Sequence, residues 1–293
     1  MRPLRLSLLL AFLAIAPAIA QNETVTVTGQ ATNPTRTEII RSFIHSYVTP
    51  SRNVEKIARW ADPICPVAIG LKPEENGAIA QHIRNAALSA GARVKAEVMC
   101  RPNVTVVFAQ DPQDLMTQIA AHYNLAKTVM GDIDGPMHAR MLAKITYPIQ
   151  AWYGTEIEDA WGTRVPSQGG MLISTGSRLN NGIKSDFTTV FVVVDLSKVA
   201  GREVGTIGDY VAMLTLSQTK NYGACLQIPS ISNLLAPDCD DRLRTTALSD
   251  ADIAFLRGVY KMDGGDKFNL ARGAILDEME KSPVSTDLKA PAK

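Results

Sequence analysis

Three acidic residues gather in one short stretch that could carry acid–base chemistry. Glu156, Glu158 and Asp159 come shortly after the aromatic segment at 152–154. Two carboxylates beside an aromatic ring suit glycosidic hydrolysis, in which one carboxyl group protonates the leaving oxygen and the other activates water or attacks the sugar. The same composition is also typical of a solvated loop. Glu156 and Glu158 are therefore candidate catalysts whose role depends on what the fold places around them.

A serine–lysine pair offers a second catalytic pattern, which the rest of the sequence does not support. Ser217-Gln-Thr-Lys220 matches Ser-x-x-Lys, in which an adjacent lysine can deprotonate the serine. The sequence lacks the Lys-Thr-Gly and Ser-Asp-Asn motifs that accompany this pattern, and it also lacks the glycine-based nucleophile, phosphate and dinucleotide motifs. A pattern this short is expected by chance in a chain of this length, so we assign it no catalytic role.

The four cysteines fit disulfide bonds better than a metal site. Cys225 and Cys239 are 14 residues apart, and Cys65 and Cys100 are 35 apart with one amphipathic helix predicted between them. Parallel strands joined by a helix begin at the same edge of a sheet, which brings Cys65 and Cys100 within bridging range. Zinc is the alternative, but the sequence has no Cys-x-x-Cys, and its four histidines lie apart from the cysteines. The sequence therefore predicts Cys65–Cys100 and Cys225–Cys239 bridges.

The first 20 residues have the three parts of a secretory signal peptide. Two arginines supply positive charge, residues 6–16 form an apolar run, and Ala18-Ile19-Ala20 is a small-x-small cleavage site. The apolar run ends at Pro17 and is shorter than the roughly 20 residues that cross a bilayer. The sequence thus predicts cleavage after Ala20 and an exported mature protein, periplasmic or secreted, with no transmembrane segment.

Composition indicates a globular protein and argues against nucleic-acid binding. Of the 293 residues, 46% are hydrophobic and 20% are charged, and 30 Lys and Arg balance 29 Asp and Glu. Nucleic-acid binding depends on positive charge clustered against phosphates, which this balance does not supply.

Hydrophobic periodicity organises the chain into one α+β domain at 36–280. Helices are predicted at 37–47, 73–90, 112–120, 136–145, 204–218, 250–260 and 268–279, and strands at 65–71, 104–108, 149–153 and 187–196. Residues 21–35 are predicted to be a mobile arm, residues 162–181 long loops and residues 281–293 a disordered tail. The candidate acids would then follow the strand at 149–153.

The last part of the domain resembles a known family of zinc peptidases. The segment LSDADIAFLRGVY at 248–260 is similar to the helix that closes matrixin-like domains. Pro229-Ser-Ile-Ser-Asn-Leu234 occupies the place of their methionine turn, and IGDYVAMLTL at 207–216 that of their active-site helix. The chain thus resembles the metzincin metallopeptidases, and within them an exported bacterial group without assigned activity. This resemblance implies a zincin-like fold, with a single mixed sheet backed by helices and a C-terminal helix.

The chain departs from the metzincins at the place of their zinc ligands. Their active-site helix reads His-Glu-x-x-His, in which two histidines bind zinc and the glutamate polarises water. Here the corresponding residues are Asp209 and, four positions on, Met213, whose thioether is a poor ligand for zinc. We therefore predict no metal or other cofactor, and we expect Tyr210, Met213, Leu214 and Leu216 to pack in the core.

Two functions from different classes remain open on the sequence. The first is an exported, disulfide-bonded, non-catalytic module of the cell envelope that binds an envelope protein or a glycan, or that has a structural role. The second is a peptidase-like or glycan-directed hydrolase that uses Asp209, Glu156 or Glu158 as carboxylate catalysts in the inherited cleft. The lack of a coherent catalytic motif in the sequence favours the first.

Overall fold

The sheet at the centre of the fold is a single mixed one. In the computed structural model, which describes residues 34–51, 54–96, 100–131, 133–166, 172–174, 177–219 and 223–283, its strand order is β1-β2-β5-β3-β4. The strands are β1 (Pro66–Ile69), β2 (Val104–Ala109), β3 (Ile149–Glu158), β4 (Arg164–Pro166) and β5 (Lys184–Asp195). β1, β2 and β5 run parallel, whereas β3 is antiparallel to both β5 and β4. The predicted α+β class with one mixed sheet is confirmed.

Helices pack on both faces of this sheet. They are α1 (Arg36–Tyr47), α2 (Pro73–Ala90), α3 (Pro112–Ala121), α4 (Tyr123–Met130), α5 (Gly135–Leu142), α6 (Leu196–Val199), α7 (Val204–Leu216), α8 (Asp250–Lys261) and α9 (Phe268–Lys281). Within the described ranges, no helix is both long and apolar enough to cross a membrane. The predicted signal peptide, residues 21–33 of the predicted arm and residues 284–293 of the predicted tail lie outside the described residues.

The helix boundaries follow from local sequence. The Thr35 hydroxyl accepts the N–H of Glu38 at the start of α1, and the Glu38 carboxylate accepts the N–H of Thr35 in return. α2 begins at a proline and ends at Gly91, whose φ of 87° is a left-handed conformation that favours glycine. α4 is missing from the predicted elements. It is only eight residues long and is separated from α3 by a single residue, and its two buried side chains, Ala126 and Met130, span one helical turn.

β5 carries two hydrophobic cores, one on each face of the sheet. Val190, Val192 and Val194 pack in the larger core with α1, α2, α7, α8 and α9. Phe191 and Val193 pack in the smaller core with α3, α4 and α5. Successive side chains of a strand point to opposite faces, so β5 is buried on both sides, as its apolar sequence predicts.

β3 is longer than predicted, and this changes the place of the candidate acids. The sequence predicts a strand at 149–153 followed by loops, whereas β3 continues to Glu158 and β4 lies inside the predicted loop region. The register pairs Glu158 with Lys184 on β5 and with Arg164 on β4. Opposite charges across neighbouring strands stabilise a stretch of sheet that lacks a hydrophobic pattern. Periodicity alone therefore ends the predicted strand too early.

Both predicted disulfides are present. Cys65 precedes β1 and Cys100 precedes β2, and the parallel pairing of these strands brings the two Cα atoms to 6.1 Å. The Cα atoms of Cys225 and Cys239 are 5.0 Å apart. Their bridge closes the loop that contains a 3₁₀ turn at Ile231–Asn233.

Replacing Cys225 and Cys239 together by serine should lower the free energy of unfolding by about 3 kcal/mol. The bridge closes a loop of 14 residues, and the loop-entropy model assigns about 3 kcal/mol to a loop of this size. Urea denaturation without reductant measures the effect, since the Cys65–Cys100 bridge stays intact in both proteins. An unchanged unfolding midpoint would show that the loop is held by its other contacts alone.

Candidate functional site

Asp209 is held between three elements. Its Oδ1 lies 2.5 Å from Nδ1 of His82 on α2, and its Oδ2 accepts the backbone N–H of Leu248, ahead of α8, at 3.0 Å. Gly208 permits this close approach, since a Cβ there would lie 2.8 Å from the Cβ of His82. Both carboxylate oxygens therefore fasten α2, α7 and the start of α8 together. We interpret Asp209 as a structural residue.

The residues of α7 that were predicted to pack in the core are buried and offer no metal ligands. Tyr210, Met213, Leu214 and Leu216 are each at most 4% exposed, so the predicted core packing is confirmed. In the part of the chain that the structure describes, no group of three or more histidine, cysteine, aspartate or glutamate side chains is arranged to hold a metal ion. Zinc peptidase chemistry thus has no donor set among these residues.

Glu156 and Glu158 are brought together by Arg164 on the neighbouring strand. Arg164 Nη1 lies 3.1 Å from Glu156 Oε1, and its Nε lies 3.5 Å from Glu158 Oε2. Lys184 Nζ donates to Glu158 Oε1 at 2.9 Å, and Arg164 also pairs with Asp62 at 2.9 Å. The hydrogen bond from Lys184 is the main reason why the pKa of Glu158 lies below its ordinary value. Glu158 is therefore an ionised member of a cross-strand ion-pair network.

Asp186, which the sequence patterns do not single out, has the most unusual environment in this region. It stands opposite Glu156 in the β3–β5 register and is 3% exposed. Among the described residues, its Oδ2 has no hydrogen-bond partner. Burial, together with the negative charge of Glu158, raises the pKa of Asp186 to about 6 against the opposing effect of nearby cations. A buried acceptor without a donor is rare in proteins and calls for an explanation.

Asp186 and Glu158 line a small open pocket, which we term the acid–base pocket. Its volume is about 280 Å³, and it is lined by Arg59, Trp60, Ala61, Gly91, Ala92, Arg93, Glu158, Lys184, Asp186 and Tyr260. Arg59 donates to the carbonyl oxygens of Tyr260 at 3.0 Å and Met262 at 2.7 Å. Arg93 donates to the carbonyl oxygen of Ala61. Arg59 and Arg93 are thus held in place by backbone carbonyl groups at the end of α8 and ahead of β1.

The two carboxyl groups of the acid–base pocket have pKa values displaced in opposite directions. Burial raises the pKa of Asp186 to about 6, whereas the cations beside Glu158 lower the pKa of that residue. Pairs of carboxyl groups with separated pKa values are suited to acid–base chemistry. Asp186 lines the pocket, but its unpaired Oδ2 is itself buried, so a polar ligand reaches that oxygen only when neighbouring groups move.

Asp252 is a second buried carboxylate, and its contacts are structural. It is fully buried, and its Oδ1 accepts the hydroxyl of Ser230 at 2.5 Å. Its Oδ2 accepts the backbone N–H groups of Ile231 and Ser249, both at 2.9 Å. Burial raises the pKa of Asp252 above its ordinary value. These bonds fasten the turn at 231–233 to the first turn of α8.

Comparison of the chain with protein-family models, with curated proteins and with solved structures gives no match. A fold by itself does not determine a function, because one architecture serves many unrelated activities. The chemistry of the acid–base pocket, and above all that of Asp186, therefore bears most directly on function.

Asp186→Asn should stabilise the protein at pH 7.5 and have little effect at pH 4. Ionising Asp186 is unfavourable in the folded state, so its contribution to stability is greatest below pH 3.8 and is lost as the pH rises through about 6. The raised pKa of Asp186 corresponds to a loss of at most about 3 kcal/mol in the free energy of unfolding at high pH. An uncharged asparagine avoids this loss. Urea denaturation of both proteins between pH 4 and 8 measures the difference. A gain in stability that does not depend on pH would contradict the raised pKa of Asp186.

Proposed function

We propose that this chain is an exported, disulfide-bonded binding protein of the cell envelope, built on a metzincin-like frame without the zinc site, and that the acid–base pocket holds its ligand. The secretory pattern at 1–20 and the two disulfides support export, since disulfides persist in oxidising compartments. The packed, apolar surroundings of Met213 support a role other than zinc proteolysis.

The observation that carries this proposal is the contrast between Asp186 and the other candidate carboxylates. Asp209 uses both oxygens in fixed contacts, and Glu158 is paired with Lys184 and Arg164. Asp186 lines an open pocket and has a buried oxygen that no described residue satisfies. Burying a carboxylate in this way costs stability, and proteins keep such costly features chiefly at functional sites.

The three segments that resemble metzincins contact one another, which supports the metzincin-like frame. The turn at 231–233 packs against α7, and Asp252 of the closing helix holds that turn through Ser230. Asp209 of α7 holds the start of the closing helix through Leu248. The segments thus form one unit, as the proposed frame requires.

Binding at the acid–base pocket is tested by heating the mature protein with a panel of small polar compounds. Compounds that bind the folded state raise the melting temperature by mass action. We expect at least one to do so for the wild-type protein and to lose its effect with Asp186→Asn. Asp277→Asn, an exposed position on α9, is the matched control and should respond like the wild type. Equal responses of all three proteins would refute the pocket as the binding site.

A hydrolase is the second candidate, favoured by the opposite pKa displacements of Asp186 and Glu158. Asp186 would act as the acid and Glu158 as the base, in place of Asp209. The lowered pKa of Glu158 makes it a weak base, and we therefore rank binding above catalysis. Turnover of chromogenic glycosides that disappears in both Glu158→Gln and Asp186→Asn would reverse this ranking.

A further inference from the structure

We propose that the ligand of the acid–base pocket is a carbohydrate, held by polar contacts in the pocket and by the exposed ring of Trp161, three residues after Glu158 of the pocket wall. The inference rests on the proposed function and names its ligand class. Asp186 and Trp161 support it independently, one as a buried acceptor and the other as an exposed aromatic side chain.

The pocket wall mixes hydrogen-bond donors and acceptors. The carboxylates of Asp186 and Glu158 stand among the cations of Arg93 and Lys184. A sugar hydroxyl donates one hydrogen bond and accepts others, so neighbouring hydroxyls can satisfy a carboxylate and a cation together. A ligand with several charges of one sign would instead meet like charges on the wall. A neutral polyol therefore suits this wall better than a multiply charged ligand.

Trp161, in the turn between β3 and β4, offers an apolar surface. Trp161 is 79% exposed, whereas Trp60 and Trp152 are 4% and 5% exposed. Its turn is fixed, because the buried carboxylate of Asp159 accepts the N–H groups of Trp161 and Thr163, both at 2.9 Å. A tryptophan held in water leaves a large apolar ring uncovered. The C–H face of a sugar ring is an apolar surface of matching shape.

The spacing of the two parts fits a short oligosaccharide. The pocket volume of about 280 Å³ lies just below the usual range for drug-sized ligands, so it suits a single ring. Glu158 lines the pocket, and Trp161 follows it by three residues, which span at most about 10 Å. A second sugar linked to the first would extend over this distance to the tryptophan.

Ligand binding can be followed by the fluorescence of Trp161, because a soluble quencher reaches this exposed tryptophan much faster than the two buried ones. Acrylamide quenching should be titrated with neutral hexose, N-acetylhexosamine and uronic acid oligomers, and with free amino acids and diamines as polar non-sugars. We expect one sugar class to protect Trp161 saturably. Equilibrium dialysis of that sugar should show about tenfold weaker binding, or about 1.4 kcal/mol, for both Trp161→Ala and Asp186→Asn.

Two further variants separate stacking from loss of structure. Trp161→Phe keeps an aromatic ring and should bind the sugar more tightly than Trp161→Ala. Met137→Ala removes another exposed apolar side chain, 77% exposed on α5, and should bind like the wild type. Equal weakening by all three substitutions would overturn the inference.

The remaining outcomes are distinguishable from a failure of the proposed function. If amino acids or diamines bind in an Asp186-dependent way and no sugar does, the carbohydrate inference is wrong and the pocket remains a binding site. If a sugar binds equally well to the wild type, Trp161→Ala and Asp186→Asn, its site lies elsewhere and the inference is also wrong. If no sugar class binds, the inference fails whatever the non-sugars do.

Discussion

Asp252→Ala should lower the free energy of unfolding by about 3–5 kcal/mol. The carboxylate is fully buried and accepts the Ser230 hydroxyl and the N–H groups of Ile231 and Ser249. Alanine leaves these donors buried without a partner, at about 1–3 kcal/mol for each group that finds no substitute. It also removes one half of the capping box at the start of α8. Urea denaturation at neutral pH measures the loss.

The matched control is Asp250→Ala, in the same turn of α8. Asp250 is exposed, so it contributes only the interaction of a surface charge with the helix dipole, about 0.3–1 kcal/mol. Amide hydrogen exchange should locate the difference, with faster exchange at Ile231 in the Asp252 variant and unchanged exchange in the Asp250 variant. Similar losses for the two substitutions would show that Asp252 contributes through charge alone and does not hold the turn.

Sequence reasoning succeeds where the physical signal is local. The boundary at Gly91 follows from backbone freedom, and the bridge between Cys65 and Cys100 follows from two parallel strands that begin at one edge of the sheet. The core face of α7 follows from its apolar residues, because a helix that is apolar nearly all round has to be buried. Each of these predictions depends on neighbours in sequence or on one supersecondary unit.

The acid–base pocket could be predicted only in part, because its geometry depends on strand register. The cluster at Glu156 and Glu158 is visible in the sequence, but Arg164 and Asp186 join it through antiparallel pairing across β4, β3 and β5. The pattern Lys184-Ser-Asp186 stands directly before the apolar run of β5 and was the available signal. A buried strand that begins with charged residues extends polar groups into the sheet, where a partner or a ligand must satisfy them.

Asp209 illustrates the opposite error. The predicted resemblance to metzincins would place it, by order along the chain, at a ligand position, and a carboxylate there suggests catalysis. The contact with His82 comes from a helix that precedes it by 127 residues, and no local pattern reveals it. An aspartate is thus bonded through both oxygens on α7 and keeps a buried, unpaired oxygen on β5, and the difference lies in which donors the fold brings to each.

Met213→Ala should lower the free energy of unfolding by about 2–5 kcal/mol. Met213 is 1% exposed within the larger core, and truncating a buried side chain of this size removes its contacts and leaves a cavity. Met137→Ala is the matched control, since the same side chain is 77% exposed on α5 and its loss should change stability by less than about 0.5 kcal/mol. Urea denaturation compares the two variants. An unchanged midpoint for Met213→Ala would mean that its side chain faces an open cleft.

The double variant Asp209→His, Met213→His tests whether the same helix can bind zinc. It restores two histidines at positions i and i+4, but it supplies no third ligand. It also places an imidazole in the core and breaks the contacts of Asp209 with His82 and Leu248. We therefore expect weak zinc binding at best and lower stability than in Met213→Ala alone. Stoichiometric zinc binding with unchanged stability would show that this face of α7 still opens onto a metal cleft, and the packed, metal-free interpretation of the helix would be wrong.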